Sequence, residues 1–106
     1  AILSNGSPKM LEAGVTKNNL GKFMDSIISV DTIKIFKPSP KVYQLATDQL
    51  GCKPEEILFF SSNAWDVSGA ATFGFKTVWV NRFAQAKERL PGNPILEINT
   101  LDAVLE

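Results

Sequence analysis

The clearest fold signal in the chain is the segment "ILFFSSNAWDVSGA", residues 57–70. Its apolar start predicts a strand over residues 57–60, buried on both faces as in a parallel sheet that helices cover. The small residues at its end predict a helix over residues 67–73, which Gly74 terminates. Hydroxyl, amide, indole and carboxylate side chains lie between the two. A buried strand that is followed directly by such polar side chains is typical of the edge of a functional site.

Strand and helix alternate along the rest of the chain. Further strands are predicted over residues 1–3, 27–30, 77–80 and 95–98. Ser7-Pro8 and Ser39-Pro40 each place a hydroxyl cap before a proline, which predicts two helix starts. This alternation predicts an open α/β fold with a parallel sheet and right-handed crossovers.

Local sequence signals also predict the ends of the helices, the loops and a last helix. The first helix closes at residues 18–19, and Gly51 closes the second. The second helix carries one apolar face, made of Val42, Leu45, Ala46 and Leu50. Residues 31–37 and most of residues 81–94 are expected to be loops, with room for a helical turn over residues 82–90. Thr100 is expected to cap a last helix that runs to residue 105.

The composition is that of an ordinary globular protein. The chain has 106 residues, 44% hydrophobic and 21% charged, so we expect one domain at most. Eleven basic and eleven acidic residues cancel, which leaves no overall field to attract nucleic acid or an anionic membrane. The start, "AILS", lacks the basic leader of a signal peptide. Because residue 1 is Ala rather than Met, we expect the later part of a longer protein.

Two residue counts exclude whole classes of chemistry. The chain has no histidine, which excludes a Ser-His-Asp triad and the usual zinc sites within it. Its single cysteine, Cys52, has no second cysteine for an internal disulfide and no histidine to activate it as a nucleophile. A lone cysteine fits a reducing compartment, so we expect a cytoplasmic protein.

Polar side chains gather where three of the predicted strands end. Ser4-Asn5-Gly6 follows the first strand, Lys37 lies in the loop after the second, and residues 61–66 follow the third. Ligands of open α/β sheets bind beyond the carboxyl ends of the strands. We therefore expect these groups to contribute to one site.

Three segments, "SNG", "FKPSPKVY" and "SSNAWD", occur in the same order as motifs of the haloacid dehalogenase superfamily, which the chain resembles. The residues within these segments resemble those of its L-2-haloacid dehalogenases in particular. The resemblance covers residues 1 to about 82 and implies a three-layer Rossmann-like core. It matches Ser4, Lys37 and Asp66 to the second, third and fourth loop motifs of the family. The nucleophilic Asp of the first motif, in a DxxxT context, and the helical cap domain have no counterpart here. Residues 1–106 are thus expected to be the C-terminal part of the core domain, inactive alone.

The fourth motif separates the branches of the superfamily. Its phosphatases carry an acidic residue four positions before the second one and hold magnesium there, whereas this chain has Ser62 at that position. A hard dication prefers several anionic oxygens, which Asp66 alone does not supply. The resemblance therefore implies metal-free hydrolysis of 2-haloacids with no cofactor, by displacement of halide and then hydrolysis of an aspartyl ester.

The resemblance also assigns roles to single residues. Lys37 balances the negative charges of the nucleophile and the substrate, Asp66 pairs with it and orients water, and Ser61 hydrogen-bonds that lysine. The Asn63 amide and the Trp65 indole hold the departing halide.

The substrate carboxylate needs small donors. The Ser4 hydroxyl and the backbone N–H groups of Ser4-Asn5-Gly6 supply them as an anion nest, and the Tyr43 hydroxyl reaches the same carboxylate. The family also tends to form homodimers.

Each residue has an ordinary structural alternative. Ser4 and Asn5 are common in turns, Lys37 is a common surface residue, and Tyr43 suits the rim of a core. Asn63 and Asp66 suit a helix start, and Trp65 suits packing on the sheet. Trp79 is interpreted as core, and residues 82–94 as a solvated surface. At the level of function, a magnesium-dependent phosphatase and a non-catalytic interaction module remain open.

Overall fold

The computed structural model describes residues 1–86 and 90–105. The chain divides into two compact units, Ala1–Gly51 and Cys52–Glu106, a finer division than the single domain expected from length. The strand pairs in both units are parallel, which confirms the predicted α/β class. Within the described ranges, no helix is long and apolar enough to cross a bilayer. The assignment of residues 1–106 to the C-terminal part of a core domain stays a prediction.

Unit 1 contains two strands and two α-helices. They are β1 (Ile2–Ser4), α1 (Pro8–Lys17), β2 (Ile27–Ser29) and α2 (Pro40–Leu50). β1 and β2 pair in a register that places Ser4 opposite Ser29. The two strands run in the same direction, so both serines lie at the carboxyl edge of this small sheet. The Lys37–Pro38 peptide bond, in the loop before α2, is cis.

Local chemistry sets the ends of α1 and α2, as predicted. The Met10 N–H donates to the Ser7 hydroxyl at 3.3 Å, and the Lys41 N–H donates to the Ser39 hydroxyl at 3.4 Å. Each cap precedes a proline, whose missing N–H costs nothing in the first turn. Gly51 ends α2 at φ 66°, a left-handed conformation that glycine adopts without strain.

The buried face of α2 differs in part from the predicted one. Val42 and Ala46 are buried as expected, but Tyr43 and Thr47 share their burial while Leu45 and Leu50 are only half-buried. The buried face is therefore turned by about one residue relative to the face read from hydrophobicity alone. Burial follows what the side chain packs against, and the apolar ring of tyrosine qualifies as well as leucine does.

Unit 2 contains a three-stranded sheet. Its elements are β3 (Leu58–Ser61), α3 (Ala64–Phe73), β4 (Lys76–Val80), β5 (Leu96–Ile98) and a short 3-10 helix (Leu101–Leu105). β4 lies between β3 and β5. Val78, Val80 and Ile98 form a core against which Phe60 and Ala103 pack.

Three elements of unit 2 depart from the expectation. β3 is not buried on both faces: it lies first in the strand order, and Leu58 is 52% exposed. α3 begins at Ala64, three residues before the predicted start, because residues 64–66 already form its first turn. The last helix follows Thr100 as predicted, but it is a 3-10 helix. Of the predicted turn over residues 82–90, residues 87–89 lie outside the described residues.

Thr77 in the middle of β4 gives a direct prediction about stability. Its side chain is 1% exposed, and within the described part of the chain its hydroxyl has no hydrogen-bond partner. A buried hydroxyl without a partner costs roughly 1–3 kcal/mol of desolvation. We expect Thr77→Val, which keeps the shape and removes the hydroxyl, to raise the free energy of unfolding by about 1 kcal/mol. Denaturant unfolding of the full-length protein measures this.

Thr77→Ser is the matched control for that substitution. It keeps the hydroxyl and removes a methyl group, so it is expected to lower the free energy of unfolding by about 1 kcal/mol. A destabilised Thr77→Val variant would mean that the hydroxyl is satisfied in solution.

Candidate active site

The turn after β1 is held by its own serine. The Gly6 N–H donates to the Ser4 hydroxyl oxygen at 3.0 Å. Because this N–H already donates within the turn, it is not one of the donors that the predicted anion nest offers to a ligand. Ser4 keeps its own hydroxyl proton as a donor, because a hydroxyl accepts and donates at once.

Asn5 positions the backbone of Lys37. The Lys37 N–H donates to the Asn5 side-chain oxygen at 2.8 Å, across 32 residues of sequence. This bond joins the loop after β1 to the loop after β2, so Asn5 and Lys37 are brought together as predicted. The role that the structure gives Asn5 is to hold the lysine segment. Its predicted part in substrate binding stays a prediction.

Ser29 is a site-supporting residue that sequence reasoning missed. Its hydroxyl donates to the Gly6 carbonyl at 2.7 Å and accepts from the Asp31 N–H at 3.1 Å. It thereby ties the end of β2 to the turn that follows β1. The available signal was its position: Ser29 is the last residue of β2 and the register partner of Ser4.

The bond between Asn5 and Lys37 yields a prediction. Asn5→Ala removes the acceptor of the Lys37 N–H, so we expect the Lys37 amide to exchange with solvent about tenfold faster and stability to fall by about 1 kcal/mol. Hydrogen exchange of the full-length protein measures the first effect. Asn18→Ala is the control, since it removes a side-chain hydrogen bond at a different place: the Asn18 amide donates to the Gly14 carbonyl at the exposed C-terminal end of α1. Equal exchange at Lys37 in both variants would contradict the anchoring role.

Tyr43 lies on α2 with its side chain fully buried, at 0% exposure. This agrees with a packing role more closely than with the rim position considered from sequence. Its hydroxyl is buried as well, and a buried phenol normally has a hydrogen-bond partner. Its predicted contact with a substrate carboxylate stays a prediction.

In unit 2, the loop between β3 and α3 presents the second group of predicted residues. The Asn63 N–H donates to the Ser61 hydroxyl at 3.2 Å, and the Trp79 indole N–H donates to the Ser62 carbonyl at 3.2 Å. Trp79 is buried at 4% exposure, as predicted for a core residue. Its second role, holding the loop at Ser62, was not visible in the sequence. The β3–α3 loop is thus held by one hydrogen bond within it and by a second one from Trp79 on β4.

The Asn63 side chain does not cap α3, although Asn63 is the N-cap residue of that helix. It occupies the N-cap of α3, yet in the described structure its side chain makes no capping hydrogen bond and is exposed. The capping alternative therefore fails for this amide.

Trp65 and Asp66 occupy the first turn of α3 with opposite environments. The Trp65 side chain is 44% exposed, which argues against the alternative that it is fully packed on the sheet. Asp66 is 2% exposed and lies where the partial positive charge of a helix N-terminus favours a carboxylate. The first turn of α3 therefore leaves the Trp65 indole accessible and holds the Asp66 carboxylate inside.

Comparison with known proteins identifies the family. A family model described as haloacid dehalogenase-like hydrolase matches residues 1–74. The chain belongs to the haloacid dehalogenase-like hydrolases. The resemblance read from the three motifs is confirmed.

Two curated haloacid dehalogenases are close relatives. The chain is 52% identical over 88 residues to (S)-2-haloacid dehalogenase 1 of Pseudomonas sp. (strain CBS-3), covering 83% of this chain and 39% of that protein. It is 45% identical over 106 residues to (S)-2-haloacid dehalogenase of Pseudomonas sp. (strain YL), covering 100% and 46%. The chain therefore spans less than half the length of these haloacid dehalogenases.

A solved haloacid dehalogenase has the same fold. The L-2-haloacid dehalogenase from Xanthobacter autotrophicus, with chloropropionic acid covalently bound, matches with a TM-score of 0.92 at 35% sequence identity. The match covers 97% of this chain and 51% of that one. This confirms the predicted fold class. The roles of the individual site residues stay predictions.

Proposed function

We propose that the full-length protein is an (S)-2-haloacid dehalogenase, which converts L-2-haloalkanoic acids to (R)-2-hydroxyacids and halide. The observation that carries the proposal lies in the β3–α3 loop, where Ser62 occupies the position at which the superfamily phosphatases have an acidic residue. On one side of it the Ser61 hydroxyl accepts the Asn63 N–H, and on the other side the Asn63 side chain is exposed. The high identity to curated (S)-2-haloacid dehalogenases supports the same reading. The covalent chloropropionic acid in the Xanthobacter autotrophicus enzyme supports an ester mechanism.

The proposed reaction has two steps. An aspartate outside this chain attacks the α-carbon of the substrate, expels the halide and inverts the configuration. Water then hydrolyses the aspartyl ester and releases the 2-hydroxyacid.

The first step develops negative charge on the halogen. The exposed Asn63 amide and Trp65 indole are suited to stabilise this charge as donors, with no proton transfer required. Lys37, whose backbone Asn5 holds in place, balances the carboxylates of nucleophile and substrate. Ser4 and Tyr43 contribute donors for the substrate carboxylate.

The second step requires a positioned water molecule. Asp66 is buried and fixed in the first turn of α3, so its carboxylate is suited to orient and polarise that water. Ser61 supports the site through its hydroxyl. The proposal includes no metal and no cofactor, a cytoplasmic location and a homodimer, which rest on the family resemblance and on the single cysteine.

Parallel assays of the full-length protein test the proposal against its rivals. Chloride release from L-2-chloropropionate and phosphate release from p-nitrophenyl phosphate are measured with and without magnesium. The proposal expects chloride release in both conditions and no phosphate release. Magnesium-dependent phosphate release without chloride release favours the phosphatase. A folded protein that is silent in both assays favours a non-catalytic module.

A further inference from the structure

Unit 2 contains a pocket at the carboxyl ends of β3 and β4, with a volume of about 230 Å³. The residues that line it are Phe60, Ser61, Ser62, Val80, Arg82 and Leu101. Its volume is below the roughly 300–1,000 Å³ of sites for drug-sized ligands, so a compact ligand fits it best. The walls combine one cationic side chain, two hydroxyls and three apolar side chains.

Arg82 stands at the end of β4 on a turn that a buried asparagine holds. Asn81 is 5% exposed, and its side chain accepts from the Gln85 N–H at 2.9 Å and donates to the Gln85 carbonyl at 3.0 Å. The Asn81 N–H donates to the Ile98 carbonyl at 2.7 Å. These bonds fix the turn that begins at Asn81, directly before Arg82.

The charge of Arg82 is available to a ligand. Among residues 1–86 and 90–105, no carboxylate forms an ion pair with this guanidinium. Arg82 is exposed, although it borders the pocket. A guanidinium presents a planar set of N–H donors that matches a carboxylate in a two-point contact.

We propose that this pocket binds the carboxylate of a short-chain 2-hydroxyacid, with Arg82 as its ion-pair partner. The Ser61 hydroxyl already accepts the Asn63 N–H and keeps its own proton to donate, and the Ser62 hydroxyl adds a second donor. Phe60, Val80 and Leu101 accommodate a small alkyl group. The carboxylate chemistry rests on the pocket itself, whereas the choice of the 2-hydroxyacid rests on the proposed function.

Titration of the full-length protein with (R)-2-hydroxypropionate tests the site. Backbone amide NMR signals of Ser61, Ser62 and Arg82 are expected to shift on titration. Arg82→Gln is expected to raise the dissociation constant at least tenfold, because it removes the charge-assisted contact, and Arg82→Lys is expected to restore part of the affinity. Lys76→Gln, an exposed cation at the other end of β4, is the control and is expected to leave binding unchanged.

Three results overturn the proposal. They are unshifted signals at Ser61, Ser62 and Arg82 in the wild type, equal affinity in wild type and Arg82→Gln, and tighter binding of inorganic phosphate than of the hydroxyacid at the same signals. Thermal unfolding of each variant confirms that loss of binding is not loss of fold.

The binding experiment and the chloride-release assay can succeed or fail independently of each other. Arg82-dependent binding without chloride release from L-2-chloropropionate supports the pocket and contradicts the dehalogenase. Chloride release without Arg82-dependent binding supports the dehalogenase and contradicts the pocket.

Discussion

Lys37→Met in the full-length protein is expected to lower kcat/KM for chloride release from L-2-chloropropionate by about 1,000-fold. In the proposed mechanism, the lysine neutralises two carboxylates that otherwise repel each other. Two unit charges about 4 Å apart interact by roughly 4 kcal/mol at the effective dielectric constant of a protein surface. Removal of that interaction from the transition state corresponds to about three orders of magnitude in rate. Steady-state kinetics with a chloride-sensitive assay measure the effect.

The matched control is Lys34→Met, a lysine three residues earlier on the same loop. Its side chain is 76% exposed, and its ammonium group lies 3.3 Å from the Asp31 carboxylate. Exposed pairs of this kind contribute little to stability or function. We expect chloride release to change by less than about twofold. Equal losses in both variants would show that the loop needs positive charge in general and that Lys37 has no special role.

Asp66→Asn is expected to separate the two steps of the reaction. If Asp66 orients the hydrolytic water, the variant still releases about one equivalent of chloride per active site and then stalls at the ester. Steady-state turnover is expected to fall by about 100-fold or more. Rapid-quench measurement of chloride gives the burst, and mass spectrometry of the quenched protein detects the covalent adduct.

Asp48→Asn serves as the control for Asp66→Asn. Asp48 lies exposed on α2, where its carboxylate accepts from the Gln44 side chain at 2.9 Å. This variant is expected to turn over like the wild type. A loss of the burst in Asp66→Asn with its fold intact would place Asp66 in the displacement step instead of the hydrolysis step.

The sequence predicted those features that depend on neighbouring residues. Ser7 and Ser39 cap their helices, and Gly51 and Gly74 end theirs, because these effects act within one turn of the chain. The motif order predicted the family and the fold class. The start of α3 was missed because residues 64–66 carry no apolar periodicity, although they form a regular first turn.

Features that depend on distant neighbours were not predictable from local pattern. Leu58 is exposed at the start of β3, although it stands in an apolar run that predicts burial. The anchor of Lys37 is Asn5, 32 residues away, and the lock on the β3–α3 loop is Trp79, 17 residues from its Ser62 acceptor. Side chains in such pairs have no signature in a single sequence.

The handedness of the product shows whether the full-length protein carries out metal-free displacement with inversion at carbon. The full-length protein, dialysed against EDTA, is incubated with (S)-2-chloropropionate, and chloride and hydroxyacid are measured together by ion and chiral chromatography. We expect one (R)-2-hydroxypropionate for each chloride released. Formation of the (S)-product, or chloride release that returns only when magnesium is added, would contradict it.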